Sequence, residues 1–96
     1  MNLYERPAER LPQELTEILF SGRAVRIERI VSDHHTSDWY DQAENEWVCL
    51  LEGKAELELD GQRRTLEKGD FLLIPSHLRH RVTRTTQCVW LCFFFS

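Results

Sequence analysis

Two side chains in this sequence stand where chemistry could be done, Glu46 and His80. Glu46 opens the phrase Glu46-Trp47-Val48-Cys49-Leu50-Leu51-Glu52-Gly53. His80 closes the phrase Gly69-Asp70-Phe71-Leu72-Leu73-Ile74-Pro75-Ser76-His77-Leu78-Arg79-His80. Each lies at a fixed distance from a glycine that ends or begins a strand. A carboxylate and an imidazole brought together inside a small barrel make a metal site of the oxygen- and nitrogen-donor kind. They equally make a buried hydrogen-bonded pair, which satisfies both polar groups without an ion.

The spacing is Glu, six residues, Gly, then Gly, five residues, Pro, four residues, His. It resembles the two motifs of the cupin family, closely from Trp39 to Arg84 and loosely in the flanking strands. Gly69, Pro75 and His80 match the second motif, in which His77 replaces a glycine and Arg84 an asparagine. Glu46 and Gly53 match the first, whose two histidines, spaced His-x-His, are missing. Their places fall on Trp39 and Asp41 if the gap before Glu46 is four residues, and on Tyr40 and Gln42 if it is three.

The resemblance implies that Glu46 and His80 point into a barrel lumen, together with whatever occupies the His-x-His positions. Residues two apart on a strand face the same side, so Trp39 and Asp41 would point in together. Asp41, Glu46 and His80 then form the expected metal set, with a divalent Fe, Mn or Zn ion as the implied cofactor. His77 adds a second imidazole if its loop folds over the lumen mouth. Trp39 would wall the pocket, and Arg84, one strand position from the lumen by parity with His80, would reach an anionic ligand bidentately. Cupins include dioxygenases, isomerases and decarboxylases, so the reaction class stays open. The expectation is a small metal-binding protein of unassigned activity, with a metal-dependent enzyme acting on a small acidic or enolisable metabolite as the first hypothesis. The alternatives are a metal-free small-ligand binding module and a structural subunit without catalysis.

The elements that must position these residues follow from pattern. Residues 1–11 form a polar lead-in. Pro12 to Phe20 reads as a short helix: Pro12 suits a first turn, Leu15, Ile18 and Leu19 share a face, and Ser21-Gly22 supplies the stop. Ala24 to Val31 alternates as a half-buried strand. Glu46–Leu51, Lys54–Leu59, Gln62–Leu66, Phe71–Ile74, His80–Thr85 and Val89–Phe95 follow as further strands. Asp60-Gly61 is a hairpin signal, because the turn needs positive φ values. Pro75 ends a strand by fixing φ and removing a donor. The predicted class is all-β, a small antiparallel barrel or jelly roll with one short N-terminal helix. The 96 residues form one domain, with lead-in and helix over 1–23 and barrel over 24–96.

Composition narrows the partners. The balance of 16 Asp+Glu against 12 Lys+Arg argues against nucleic acid and against a membrane surface. The first residues carry no apolar signal region, and no apolar run is long enough to span a bilayer. Cys49, Cys88 and Cys92 lack a CxxC spacing and read as small buried hydrophobes, so reduced thiols and a cytoplasmic location are expected. His34 and His35 lie in a polar loop and read as solvent-exposed. Glu46–Leu51 and Val89–Phe95 are apolar on both faces, which calls for cover outside the barrel and predicts a homodimer.

Overall fold

The computed structural model describes residues 2–7 and 9–96; Met1 and Ala8, part of the expected lead-in, lie outside them. Eight strands follow one another: β1 (Leu15–Ser21), β2 (Val25–Asp33), β3 (Asn45–Glu52), β4 (Ala55–Leu59), β5 (Gln62–Leu66), β6 (Phe71–Ile74), β7 (His80–Thr85) and β8 (Gln87–Phe95). They pair antiparallel in a five-stranded sheet, β1-β2-β8-β3-β6, and a three-stranded sheet, β5-β4-β7. The core lies between the sheets, where Val48, Leu50, Ile74 and Trp90 meet Ala55, Leu57 and Leu66. This is the expected all-β jelly roll.

The expected helix over Pro12 to Phe20 is corrected to strand. Leu15–Ser21 lies antiparallel along β2, with Leu15 opposite Val31 and Thr16 opposite Ile30. Ser21-Gly22 is a hairpin, closed by the Gly22 N–H donating to the Val25 carbonyl (2.7 Å), rather than a helix stop. The physical reason is that a short run of apolar residues fits either period. Here β2 offers an open ladder, and the β-branched Thr16 and Ile18 suit it. The Arg29 guanidinium, bonded to Glu17 across the pair, pins the register. Among the described residues there is no helix, so none is long and apolar enough to cross a membrane.

Register sorts the large sheet into two faces. Glu46, Phe94 and Arg26 form one inward row; Val48, Cys92 and Glu28 form the next; Leu50, Trp90 and Ile30 the third. Outward lie Trp47, Phe93 and Ile27, with Leu73 beside Trp47 on β6. Turn chemistry joins the strands as its residues dictate. Asp60 (φ 46°) and Gly61 (φ 82°) both take positive φ, as a tight hairpin with the native strand twist requires.

Candidate functional site

Glu46 opens β3 and His80 opens β7, on opposite sheets, and their side chains meet across the lumen. His80 Nε2 lies 3.8 Å from Glu46 Oε1. His80 is 3% exposed and Glu46 8%. The His80 Nδ1–H donates to the Leu78 carbonyl (2.8 Å). A carbonyl oxygen only accepts, so this bond places a ring hydrogen on Nδ1; in the neutral imidazole the Nε2 lone pair then faces Glu46. The gap of 3.8 Å is too long for a direct hydrogen bond.

Glu46 is supported from its own side. The Gln42 amide donates to Glu46 Oε1 (3.2 Å). Burial pushes the Glu46 carboxyl above its ordinary value; Gln42, His80 and Cys92 oppose that rise. The Cys92 thiol, enclosed and close to three glutamates, is raised well above its ordinary value and stays protonated. Around the pair opens a cavity of about 210 Å³. Its polar wall includes Glu14, Thr16, Glu28, Tyr40 and Gln42, and its apolar wall includes Trp90 and Phe94. Burial also raises the carboxyl of Glu14. A cavity this size lies below the range that holds drug-sized molecules, so it suits a ligand of few heavy atoms.

The positions preceding Glu46 are decided by one bridge. Tyr40 pairs with His80 through two backbone bonds, Tyr40 N–H to the His80 carbonyl (2.7 Å) and His80 N–H to the Tyr40 carbonyl (3.1 Å). Residues directly opposite share a face, so the Tyr40 ring stands inward, 5.4 Å from the imidazole. Tyr40 and Gln42 therefore line the lumen. By the same parity Trp39 and Asp41 stand on the other face. Trp39 is stacked by both Arg79 and Arg81, each 4.5 Å from its ring, on the outside of the barrel. Asp41 forms an exposed pair with His77 Nδ1 (2.7 Å). The expectation that Trp39 and Asp41 enter the lumen is thus corrected, and His77 goes with Asp41.

Arg84 is also exposed. Between Glu56 and Leu57 the β4–β7 register shifts, so that Arg84 faces Glu56 and Val82 faces Leu57, with Thr83 inserted between them. The bulge breaks the parity that linked Arg84 to His80 and turns its side chain away from the lumen. Sequence reasoning missed Glu14, Glu28 and Cys92. Glu28 carried a signal, since it alternates with Ile27 and Arg29 on a strand later found to have its polar row inward.

These residues do not fit a resident metal. A catalytic ion needs about three protein ligands, and the lumen brings together two donors of the expected set, Glu46 and His80. Among the described residues no group of three or more His, Cys, Asp or Glu is placed to hold an ion.

Residues 27–94 match the family model described as the cupin domain. Across its full length the chain superposes, with a TM-score of 0.95 and 34% identity, on 96% of a protein from Ralstonia eutropha JMP134 assigned provisionally as a mannose-6-phosphate isomerase. A cupin superfamily protein from Desulfitobacterium hafniense DCB-2 matches at 20% identity and TM-score 0.78, with coverage of 93% of this chain and 82% of that one. A salicylate 1,2-dioxygenase from Pseudaminobacter salicylatoxidans matches at 18% identity and TM-score 0.80. That match covers 94% of this chain and 28% of the dioxygenase. No curated protein matches the sequence.

Proposed function

This chain belongs to the cupin family, and on that premise we propose that its lumen is a metal-independent binding site for a small polar molecule. Glu46 and His80 hold the ligand and exchange protons with it. The observation that carries the reading is the buried pair itself, an imidazole nitrogen and a carboxyl oxygen facing each other at 3.8 Å beside a cavity. Burial raises the Glu46 carboxyl above its ordinary value, which strengthens it as a proton acceptor. His80, oriented through Nδ1, offers Nε2 as the complementary acceptor. An enolisable ligand carrying its acidic C–H into the gap would meet both groups within reach. A phosphate ester of the kind named for the Ralstonia relative would meet Glu14, Glu28 and Glu46 and no lining Lys or Arg.

The test uses chelator-treated protein and a panel of small polar molecules, followed by ligand-observed NMR. Binding to metal-free wild type that is lost in His80→Ala and Glu46→Gln supports the reading. Binding that returns only when Fe, Mn or Zn is added overturns it.

A second copy of the chain covers the outer face in this reading. Phe71 and Leu73 are 64% and 54% exposed there. Phe71 packs on Trp47 at 5.5 Å and rises beside a hollow lined by Val25, Trp47, Leu73, Phe93 and Phe95. One face thus offers a knob and a socket, which a twofold axis can satisfy mutually. A cytoplasmic setting, where the three free cysteines stay reduced, completes the proposal.

A further inference from the structure

We propose that the lumen selects a small organic cation, a protonated alkylamine of about three carbons, over an acid or a neutral alcohol of the same size. The inference rests on the lumen being the metal-independent ligand site argued above. Three independent features of the cavity support it.

The first is the charge of the wall. Glu14, Glu28 and Glu46 line the cavity, His80 is the one basic side chain among its lining residues, and no Lys or Arg joins them. Arg26 at the rim offsets Glu28, to which its Nε donates at 2.6 Å, and it also bonds Glu44 at 2.9 and 3.0 Å. Glu14 and Glu46 have no such cationic partner among their hydrogen bonds. A carboxylate ligand would add a negative charge beside both, whereas an ammonium group would neutralise one of them.

The second is a missing donor. His80 Nε2 and Glu46 Oε1 converge, yet at 3.8 Å they make no hydrogen bond with each other. His80 is 3% exposed, and its ring Nε2, open to the cavity, makes no hydrogen bond among the described residues. An ammonium nitrogen placed about 2.9 Å from each atom closes a triangle over that base and donates to both. An alcohol has a single hydrogen and serves one of the two acceptors. A carboxylate has none to give.

The third is the apolar wall. Tyr40, Trp90 and Phe94 line the same cavity and can pack the alkyl part of an amine or face its charge. The protein already seats one cation in this manner: the Arg26 guanidinium lies 4.3 Å from the centre of the Phe94 ring while bonded to Glu28 and Glu44. A carboxylate–aromatic environment at the lumen rim is therefore used by the chain's own side chain.

The experiment is a titration of chelator-treated full-length protein with n-propylammonium, 1-propanol and propionate, which match in size and differ in charge and donors. Binding is followed through the His80 imidazole NMR signals, assigned with His80→Ala. We expect n-propylammonium to shift those signals and to bind at least tenfold more tightly than 1-propanol, with propionate silent. Glu46→Gln, checked for an unchanged fold by its amide spectrum, should cost the amine at least tenfold. If 1-propanol or propionate binds as well as the amine, selection for a cation is overturned while the lumen remains a ligand site. If none of the three moves the His80 signals, and the wider panel of polar molecules does not either, both proposals fall. Amine binding that survives Glu46→Gln unchanged overturns the site assigned here.

Discussion

Gly53 and Gly69, the two glycines that frame the recognisable spacing, should respond to alanine very differently, although both sit at nearly the same backbone angle. Their φ values are +91° and +89°. At either position a Cβ meets the steric cost that L-residues pay for positive φ, about 1–3 kcal/mol. At Gly69 nothing else lies within 4 Å of the added carbon, so that cost is the whole effect. At Gly53 the same carbon falls 2.3 Å from the Gln87 carbonyl oxygen, 2.8 Å from Cys88 Sγ and 3.0 Å from Thr86 Oγ1. The first of these is backbone at the start of β8, so the clash cannot be relieved by rotating a side chain. Strands β3 and β8 must move apart, which adds an overpacking cost of about 1–3 kcal/mol or more. Gly53→Ala should therefore lose roughly 2–6 kcal/mol in all, and each kcal/mol lowers Tm by about 4–8 °C in a domain of this size. Calorimetry or thermal circular dichroism on both variants is the assay. Gly69→Ala should melt as a folded protein, and Gly53→Ala should melt far lower or fail to fold. Equal losses in the two variants would refute the reasoning, because the difference between them is the close approach alone.

Three further outcomes follow from the geometry. Burial holds the Glu46 carboxyl above its ordinary 4.5, with Gln42, His80, Cys92 and Glu28 facing it. The unfolded chain therefore loses this proton first as pH rises, and the stability conferred by the protonated form drains away until the raised value is passed. Glu46→Gln, which stays neutral, should gain Tm relative to wild type as pH rises above the ordinary 4.5, until the raised value is passed; parallel curves would count against a buried, raised carboxyl. Trp39→Ala should cost about 1–2 kcal/mol through loss of its stacking with Arg79 and Arg81, yet leave lumen binding unchanged in the NMR titration. A binding defect would return Trp39 to the pocket wall. In sedimentation the wild type should run at twice 11.4 kDa, and Phe71→Asp with Leu73→Asp should run as a folded monomer. A monomeric wild type would end the homodimer proposal.

Much of the barrel was legible in the residues, because strands and tight turns are written locally. Gln62–Leu66, Phe71–Ile74 and His80–Thr85 read as strands from the turns and the proline that flank them, and they form with those bounds. Asp60-Gly61 specified its hairpin through the positive φ that few residues tolerate. That Glu46 and His80 would be neighbours was also legible, since their glycines and Pro75 set where each strand begins and ends. The N-terminal strand was not legible. Leu15, Ile18 and Leu19 satisfy a helical face as well as an extended one, and β2 decided between them.

The composition of the lumen wall required the tertiary structure. Side chains alternate across a strand, so an uncertainty of one residue sends a whole segment to the opposite face. The gap before Glu46 could be three or four residues. The Tyr40–His80 bridge settled it, placing Tyr40 and Gln42 inside and Trp39 and Asp41 outside. The residue inserted at Thr83 did the same to Arg84, reversing a parity that holds only along an unbroken ladder. Local sequence determines that a strand forms and where it turns. Which of its faces looks inward depends on the partner strand across the sheet, and a partner many residues away leaves no trace in the local pattern.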